Sequence, residues 1–335
     1  VRRSSLVTTI ASGVVALVLL IALIAISRVD LTRVLRLLAG VKLLPFLALM
    51  MLTGLHVLLA AEKWRLVERR IAPGAELSRR LCFCFTAIGA AAGQVLPMQV
   101  ATALARSLGS QLLTGSGAMR GAFATVFEQM FDIVVVSLCG LASIYCLWSG
   151  DLDWWVAIAG GAIAIGAALV GPTIGIAAAA TKWIATGHSA TGGRIGRFGR
   201  ALAESGLFEG RLARRLIVLS VLRFTMLWLM AIATAHAVGL NISNAQLAAA
   251  LPFVVLAMAL AVTPGGIGTN EWTFAAGLTA FGVDFETATQ CVLVNRVLVA
   301  IAVLAIGVAG AIWVQLAGTS AAPDRRDPPL GKPAY

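Results

Sequence analysis

Thr263-Pro264-Gly265-Gly266-Ile267-Gly268-Thr269-Asn270-Glu271 interrupts an apolar stretch of this chain, and Gly93-Gln94-Val95-Leu96-Pro97 interrupts another. Proline removes a backbone donor and glycine frees the backbone, so each run ends one helix and starts the next. At membrane depth a broken helix leaves N–H and C=O groups that lipid cannot satisfy. Such a break must be buried in protein or line a wet cavity. About one long helix after each break come polar residues inside an apolar segment: Glu128 and Asp132 after the first, Arg296 after the second.

The surroundings place these breaks in a bilayer. Of 335 residues 59% are hydrophobic and 12% charged, and the mean hydropathy is +0.92. Uncharged runs such as 6–26 and 43–61 match the roughly 20 residues that a helix needs to cross. The run 6–26 follows only Arg2 and Arg3 and is longer than the 7–15 apolar residues of a signal peptide, so it reads as a retained span. An all-α polytopic membrane protein is predicted, with six full spans over 6–26, 43–61, 117–148, 152–181, 216–238 and 285–316. The pieces on either side of each break, in 81–115 and 246–282, are too short at about 1.5 Å per residue to cross a core of roughly 30 Å. Two Pro/Gly-broken re-entrant hairpins are predicted there. Segment 28–42 is charged, but Leu31, Val34, Leu35 and Leu38 recur at helical spacing, which predicts an interfacial helix. Residues 1–320 then form one integral membrane domain, and the Pro-rich charged tail 321–335 is expected to be disordered.

Charge placement gives the orientation. Lys63, Arg65, Arg69, Arg70, Arg79 and Arg80 follow the second span, and the loop 182–215 is also basic; both read as cytoplasmic. Gly150-Asp151-Leu152-Asp153, flanked by Trp148, Trp154 and Trp155, reads as external. Both termini are expected on the cytoplasmic side of a bacterial inner membrane. The net charge of +11 is explained by such loops, and no basic soluble domain exists to present it to nucleic acid. Five cysteines lie in apolar segments, and neither they nor His56 and His236 form a metal-binding pattern; no metal and no cofactor are expected.

The two halves match in outline. Pro97 precedes Glu128 by 31 residues, and Pro264 precedes Asn295 by 31. Segments 81–148 and 246–316 thus each read as short helix, break, short helix, long span. Because they are inserted from opposite sides, they form a predicted inverted repeat, a pattern that places substrate sites at the repeat interface.

In these blocks the chain resembles the flippase-like family that includes the transmembrane region of lysylphosphatidylglycerol synthases. The resemblance covers about residues 40–316 and rests on three blocks: Leu96-Pro97 with Arg106; Glu128-Gln129-Met130-Phe131-Asp132; and Pro264-Gly265-Gly266-Ile267-Gly268 with Glu271 and Arg296. It departs from the family pattern at Ala101-Thr102, where an acid is common, at Gln129 in place of Arg, and at Asn270 in place of a basic residue. No soluble aminoacyl-transfer domain is recognised, so synthesis of aminoacyl lipid is not expected. The resemblance implies a stand-alone translocase, and some such relatives are associated with hopanoid production and others with glycan or phospholipid handling.

Site chemistry is assigned on that basis. Glu128 and Asp132 lie i, i+4 on one helix face, and a bare acid at the bilayer centre costs at least about 2.5–3.5 kcal/mol on insertion scales. Arg106, Arg223 and Arg296 are the candidate partners. Two readings stand: static pairs that lock helices, or a cavity where arginine binds a lipid phosphate and an acid takes a proton. The Gly265-Gly266-Ile267-Gly268 turn is either a tight bend or a backbone nest for an anion, with Asn270 and Glu271 opening the returning helix. The small residues of 87–93 allow close helix packing or leave a groove. The expected function is translocation of an anionic or modified lipid head, driven by a proton gradient or by nothing, since no nucleotide-binding motif is found. A membrane lipid is the expected partner, with a lipid-synthesis enzyme and a homodimer as further expectations. The alternatives are a membrane-embedded lipid-modifying enzyme and a non-catalytic partner of a lipid-synthesis enzyme.

Overall fold

The computed structural model describes residues 2–71, 78–114, 118–168, 207, 209–260 and 263–320. The described residues form eleven α-helices and no strand: α1 (Arg2–Ser27), α2 (Leu31–Ala39), α3 (Leu43–Ile71), α4 (Arg79–Ala92), α5 (Met98–Thr114), α6 (Ala118–Ser149), α7 (Trp155–Ala168), α8 (Gly210–Val238), α9 (Asn244–Leu260), α10 (Thr269–Ala280) and α11 (Phe285–Ser320).

Among the described residues four helices are long and apolar enough to cross a membrane, over Leu43–Ile71, Gly121–Ser149, Gly210–Val238 and Phe285–Leu316. Residues Val14–Ser27 and Leu31–Ala39 make a fifth only as a pair bent by 97°. The chain is a multi-pass membrane protein, and the expected spans 43–61, 117–148, 216–238 and 285–316 fall on these four helices. The predicted span 152–181 is described only as α7; its remainder, the basic loop up to residue 206 and the tail 321–335 lie outside the described residues.

One boundary differs for a physical reason. The span expected to stop at residue 61 continues to Ile71, so Lys63 and Arg65 belong to α3 and not to a loop. Lys63 and Glu68 are fully buried there, and the helix continues because these two charged groups face protein. In α8, likewise, Arg211, Arg214 and Arg215 sit on the first turns of the helix. That helix stops at Gly239, whose φ of +72° is a left-handed cap that glycine adopts without strain.

The α1–α2 elbow is fixed by Asp30. Its carboxylate accepts from the Thr32 N–H at 2.9 Å, an N-cap that starts α2. Val34 is buried on one face of α2, whereas Arg33 reaches Glu286 at 3.4 Å and Arg36 reaches Asp30 at 3.7 Å.

Both breaks turn the chain back on itself. In the first, α4 and α5 lie antiparallel: Gly109 sits against the Phe85 ring, Gly89 faces Ala105 and Thr102, and Gly93 meets Met98. In the second, Gly277 of α10 faces Ala250 of α9, and the Gln246 side chain donates to Phe281 C=O at 2.9 Å. Helix α11 runs along α4, where Gly307 faces Ala87 and Ala91 and Gly310 faces Cys84. The small residues of 87–93 therefore serve close packing. All five cysteines are free and buried. The two breaks meet: the Gly265 N–H donates to Leu96 C=O at 3.0 Å.

Candidate functional site

A cavity of about 290 Å³ lies where the hairpin tips meet. It is walled by α3, α4, α5, α6, α8, α9, α10 and α11. Its apolar lining includes Val57, Val254, Phe274 and Val303. Its polar lining includes Thr86, Gln94, Arg106, Glu128, Asp132, Arg223, Asn270, Glu271, Asn295 and Arg296.

One wall is an ion network. Arg106 donates to Glu128 Oε1 at 2.5 Å and to Ala60 C=O at 3.1 Å, and its guanidinium lies 5.7 Å over the Trp64 ring. Lys63 Nζ stands between both acids, 3.1 Å from Glu128 Oε2 and 2.5 Å from Asp132 Oδ1. Arg223 donates to Asp132 Oδ2. Its second nitrogen lies 3.2 Å from His56 Nε2, and His56 Nδ1 lies 3.3 Å from Arg223 C=O. A guanidinium only donates, so His56 Nε2 is the acceptor and Nδ1 carries the proton: the ring is neutral.

The other wall belongs to the second hairpin. Arg296 donates to Gly265 C=O at 2.9 Å, and its Nε stands 3.6 Å from Glu271 Oε1. Glu271 Oε2 accepts from the Gly268 N–H at 2.6 Å, so this carboxylate both caps α10 and faces the arginine. Thr234 holds Asn295 Oδ1 at 2.9 Å.

The turn between them resolves the choice left open by sequence. Gly265 N–H goes to Leu96 C=O, Gly266 N–H to Thr263 C=O, Ile267 N–H to Pro264 C=O and Gly268 N–H to Glu271. All four donors are satisfied inside the protein, so this turn is a tight bend and not an anion nest. Gly265, Gly266 and Gly268 have φ of +60°, +67° and +84°, and side chains there would run into Gln94, Asn270 and Leu19 respectively.

The predicted residues thus converge on one cavity. Arg106, Glu128, Asp132 and Arg223 form one network; Asn270, Glu271 and Arg296 line the opposite wall; Pro97 and Pro264 mark the tips. Of the three arginines expected to pair with Glu128 or Asp132, Arg296 does not: Glu271 is its carboxylate partner. Sequence reasoning missed Lys63, His56 and Thr86. A signal for Lys63 was present, because His56, Ala60 and Lys63 recur at helical spacing and no proline or glycine follows Gly54 until Pro73-Gly74.

Exposure separates two kinds of charge. The side chains of Lys63, Arg106 and Glu128 are 0–1% exposed, whereas Asp132, Arg223 and Arg296 are 18%, 19% and 26% exposed. The first three are locked among helices, and the second three face open space. Four cations stand here against three carboxylates, a formal excess of one positive charge. Thr86 Oγ1 and Asn270 Oδ1 are buried at the cavity with no hydrogen-bond partner among the described residues. Desolvated groups of this kind fit a polar ligand or water.

Residues 9–321 match the family described as the lysylphosphatidylglycerol synthase TM region, and the chain belongs to that family. No curated protein and no solved structure matches it.

Proposed function

We propose that this member of the lysylphosphatidylglycerol synthase TM-region family is a lipid translocase of the bacterial inner membrane. It carries the polar head of an anionic lipid between the two hairpin tips while the acyl tails stay outside the charged cavity. The observation that carries this reading is the cavity itself, with partly open Arg223 and Arg296 and an excess positive charge held where two broken helices touch. A lipid phosphate suits such a site because guanidinium forks bind oxyanions bidentately. Lys63, Arg106 and Glu128 act as the scaffold of the site, and Asp132 is the acid placed to exchange a proton or release Arg223.

An inverted repeat with re-entrant hairpins fits the same reading. Leu43 and Gly210 begin α3 and α8, Ile71 and Val238 end them, and His56 contacts Arg223, each pair 167 residues apart. Pro97 and Pro264 share that register. Packing comes in matching pairs: α4 on α11 with α9 on α6, and α3 on α4 with α8 on α9. In this proposal the repeat covers 43–149 and 210–316, α3 and α8 cross at its pseudo-two-fold axis, and His56 and Arg223 are equivalent positions. Rocking one half against the other then exposes the cavity to alternate faces.

The test is lipid flipping in vesicles reconstituted with the purified protein, using head-labelled phosphatidylglycerol and phosphatidylcholine. Arg223→Gln and Arg296→Gln each remove charged hydrogen bonds worth about 1.5–3 kcal/mol, so flipping of the anionic probe falls roughly tenfold or more. Both variants should remain monodisperse in detergent. Unchanged flipping of the anionic probe in both would refute the mechanism, and a covalently altered lipid in mass spectra would favour an enzyme.

A further inference from the structure

A second hollow opens beside the first. It has a volume of about 400 Å³ and lies in the elbow between α1 and α2, closed behind by α11 and by Ile267 of the second tip. Apart from two residues its lining is aliphatic, with Ile24, Leu38, Leu293 and Val297 among the side chains. The two exceptions are Glu271 and Arg296, which also line the charged cavity. One ion pair therefore forms the wall between a polar chamber and an apolar one.

The elbow is held in place from both sides. The Trp272 indole N–H of α10 donates to Leu19 C=O of α1 at 2.7 Å, and Gly268 lies so close to Leu19 and Ala16 that no side chain fits. Arg33 ties α2 to Glu286 of α11 at 3.4 Å. The hollow is thus built by contacts, and its volume falls in the range of about 300–1,000 Å³ typical of small-molecule pockets.

We infer that this hollow is the acyl-chain site for an anionic phospholipid whose phosphate engages Arg296. Continuity through Arg296 and Glu271 selects the occupant, because an amphiphile with an anionic head next to its alkyl chain matches apolar lining on one side of the guanidinium and polar lining on the other. The 26% exposure of Arg296 leaves the guanidinium reachable at that junction. A water-soluble anion would leave the aliphatic chamber unfilled, and a neutral lipid would leave the arginine without its oxyanion. The site rests on the translocase reading for its purpose, but binding there can be measured separately from transport.

The probe is phosphatidylglycerol with a diazirine on one acyl chain, compared with phosphatidylcholine carrying the same chain, photolysed in vesicles of the full chain. Cross-links from the anionic probe are expected on α1, α2 and α11 residues of the hollow, Ile24, Leu38 and Leu293 foremost. Leu35→Trp and Val297→Trp, both at lining positions with partly exposed side chains, should displace about two methylenes and weaken that labelling roughly tenfold. Arg296→Gln should remove the preference for the anionic probe. Labelling of Leu47 and Met51 on α3 as strong as labelling of the hollow, or hollow labelling untouched by both tryptophan variants, would overturn the inference. If the hollow is labelled as expected but flipping is unchanged in both Arg223→Gln and Arg296→Gln, the acyl site stands and the transport reading fails. If Arg296→Gln abolishes flipping while the hollow is not labelled, the reverse holds.

Discussion

Lys63→Met tests whether the ion network is held by geometry or only by charge balance. Counting alone makes the substitution harmless. Removing Lys63 leaves Arg106 on Glu128 and Arg223 on Asp132, two cations for two acids. Position says otherwise. The ammonium sits 3.1 Å from one carboxylate and 2.5 Å from the other, and both acids project from one face of α6. At an effective dielectric of about 20, unit charges 4 Å apart interact by about 4 kcal/mol. Methionine surrenders two such attractions and unmasks a repulsion, while it recovers several kcal/mol of lysine desolvation. A net loss of about 3–5 kcal/mol is expected, the range found when one partner of a buried pair is removed.

SDS-induced unfolding from mixed micelles, followed by tryptophan fluorescence, measures that loss. Glu128→Gln in the Lys63→Met background should recover part of it, with a coupling of about 0.5–3 kcal/mol in the double-mutant cycle. A Lys63→Met protein within about 0.5 kcal/mol of the parent, the scatter of an ordinary surface change, would refute the reasoning. So would strict additivity of the two substitutions, because Lys63 and Glu128 would then not sense each other.

Two further substitutions probe the frame. Gly265→Ala places a methyl 2.5 Å from Gln94 C=O and 2.7 Å from the Arg296 guanidinium at a φ of +60°; with about 1–2 kcal/mol for the left-handed backbone alone, it should part the tips and lower both SDS resistance and lipid flipping, and full retention of both would mean the tips do not need to touch. Gly307→Val forces a side chain against Ala91 and to 3.1 Å from Ala87 C=O, and overpacking of about 1–3 kcal/mol should separate α11 from α4, seen as faster hydrogen exchange in α4; unchanged exchange would refute that close approach.

How much of this was legible in the sequence follows from what each signal encodes. Proline breaks and apolar runs are local, so α4, α5, α9, α10 and the long helices α6 and α11 could be placed within a few residues. Pairing is not local. Arg106, Arg223 and Arg296 could be named as partners, but only packing decides that Arg296 faces Glu271 and leaves Asp132 to Arg223 and Lys63. Lys63 was lost for a third reason: a charge at the end of an apolar run looks like a loop until a carboxylate on another helix is known to meet it. The glycine turn could not be read either way from composition, because whether its N–H groups are free depends on Leu96, distant in sequence, and on the way Glu271 turns back onto its own helix start.

The arrangement of Arg296 links binding to the tips by competition. Its Nη1 already serves Gly265 C=O, and the same residue's N–H holds Leu96 of the other hairpin. An oxyanion taking the guanidinium fork draws on donors that now brace this turn, and the peptide on either side of Gly265 loses part of its restraint. The inner trio behaves differently. Lys63, Arg106 and Glu128 have their contacts inside the helix bundle and almost no exposure, so a ligand gains nothing by approaching them. A site that must hold an anion and then let it go needs both classes: buried pairs that keep the positive excess in place, and one half-open arginine whose existing bonds are weak enough to exchange. At 3.6 Å the Arg296–Glu271 contact is the longest ion pair at the cavity, which makes it the one such exchange would disturb first.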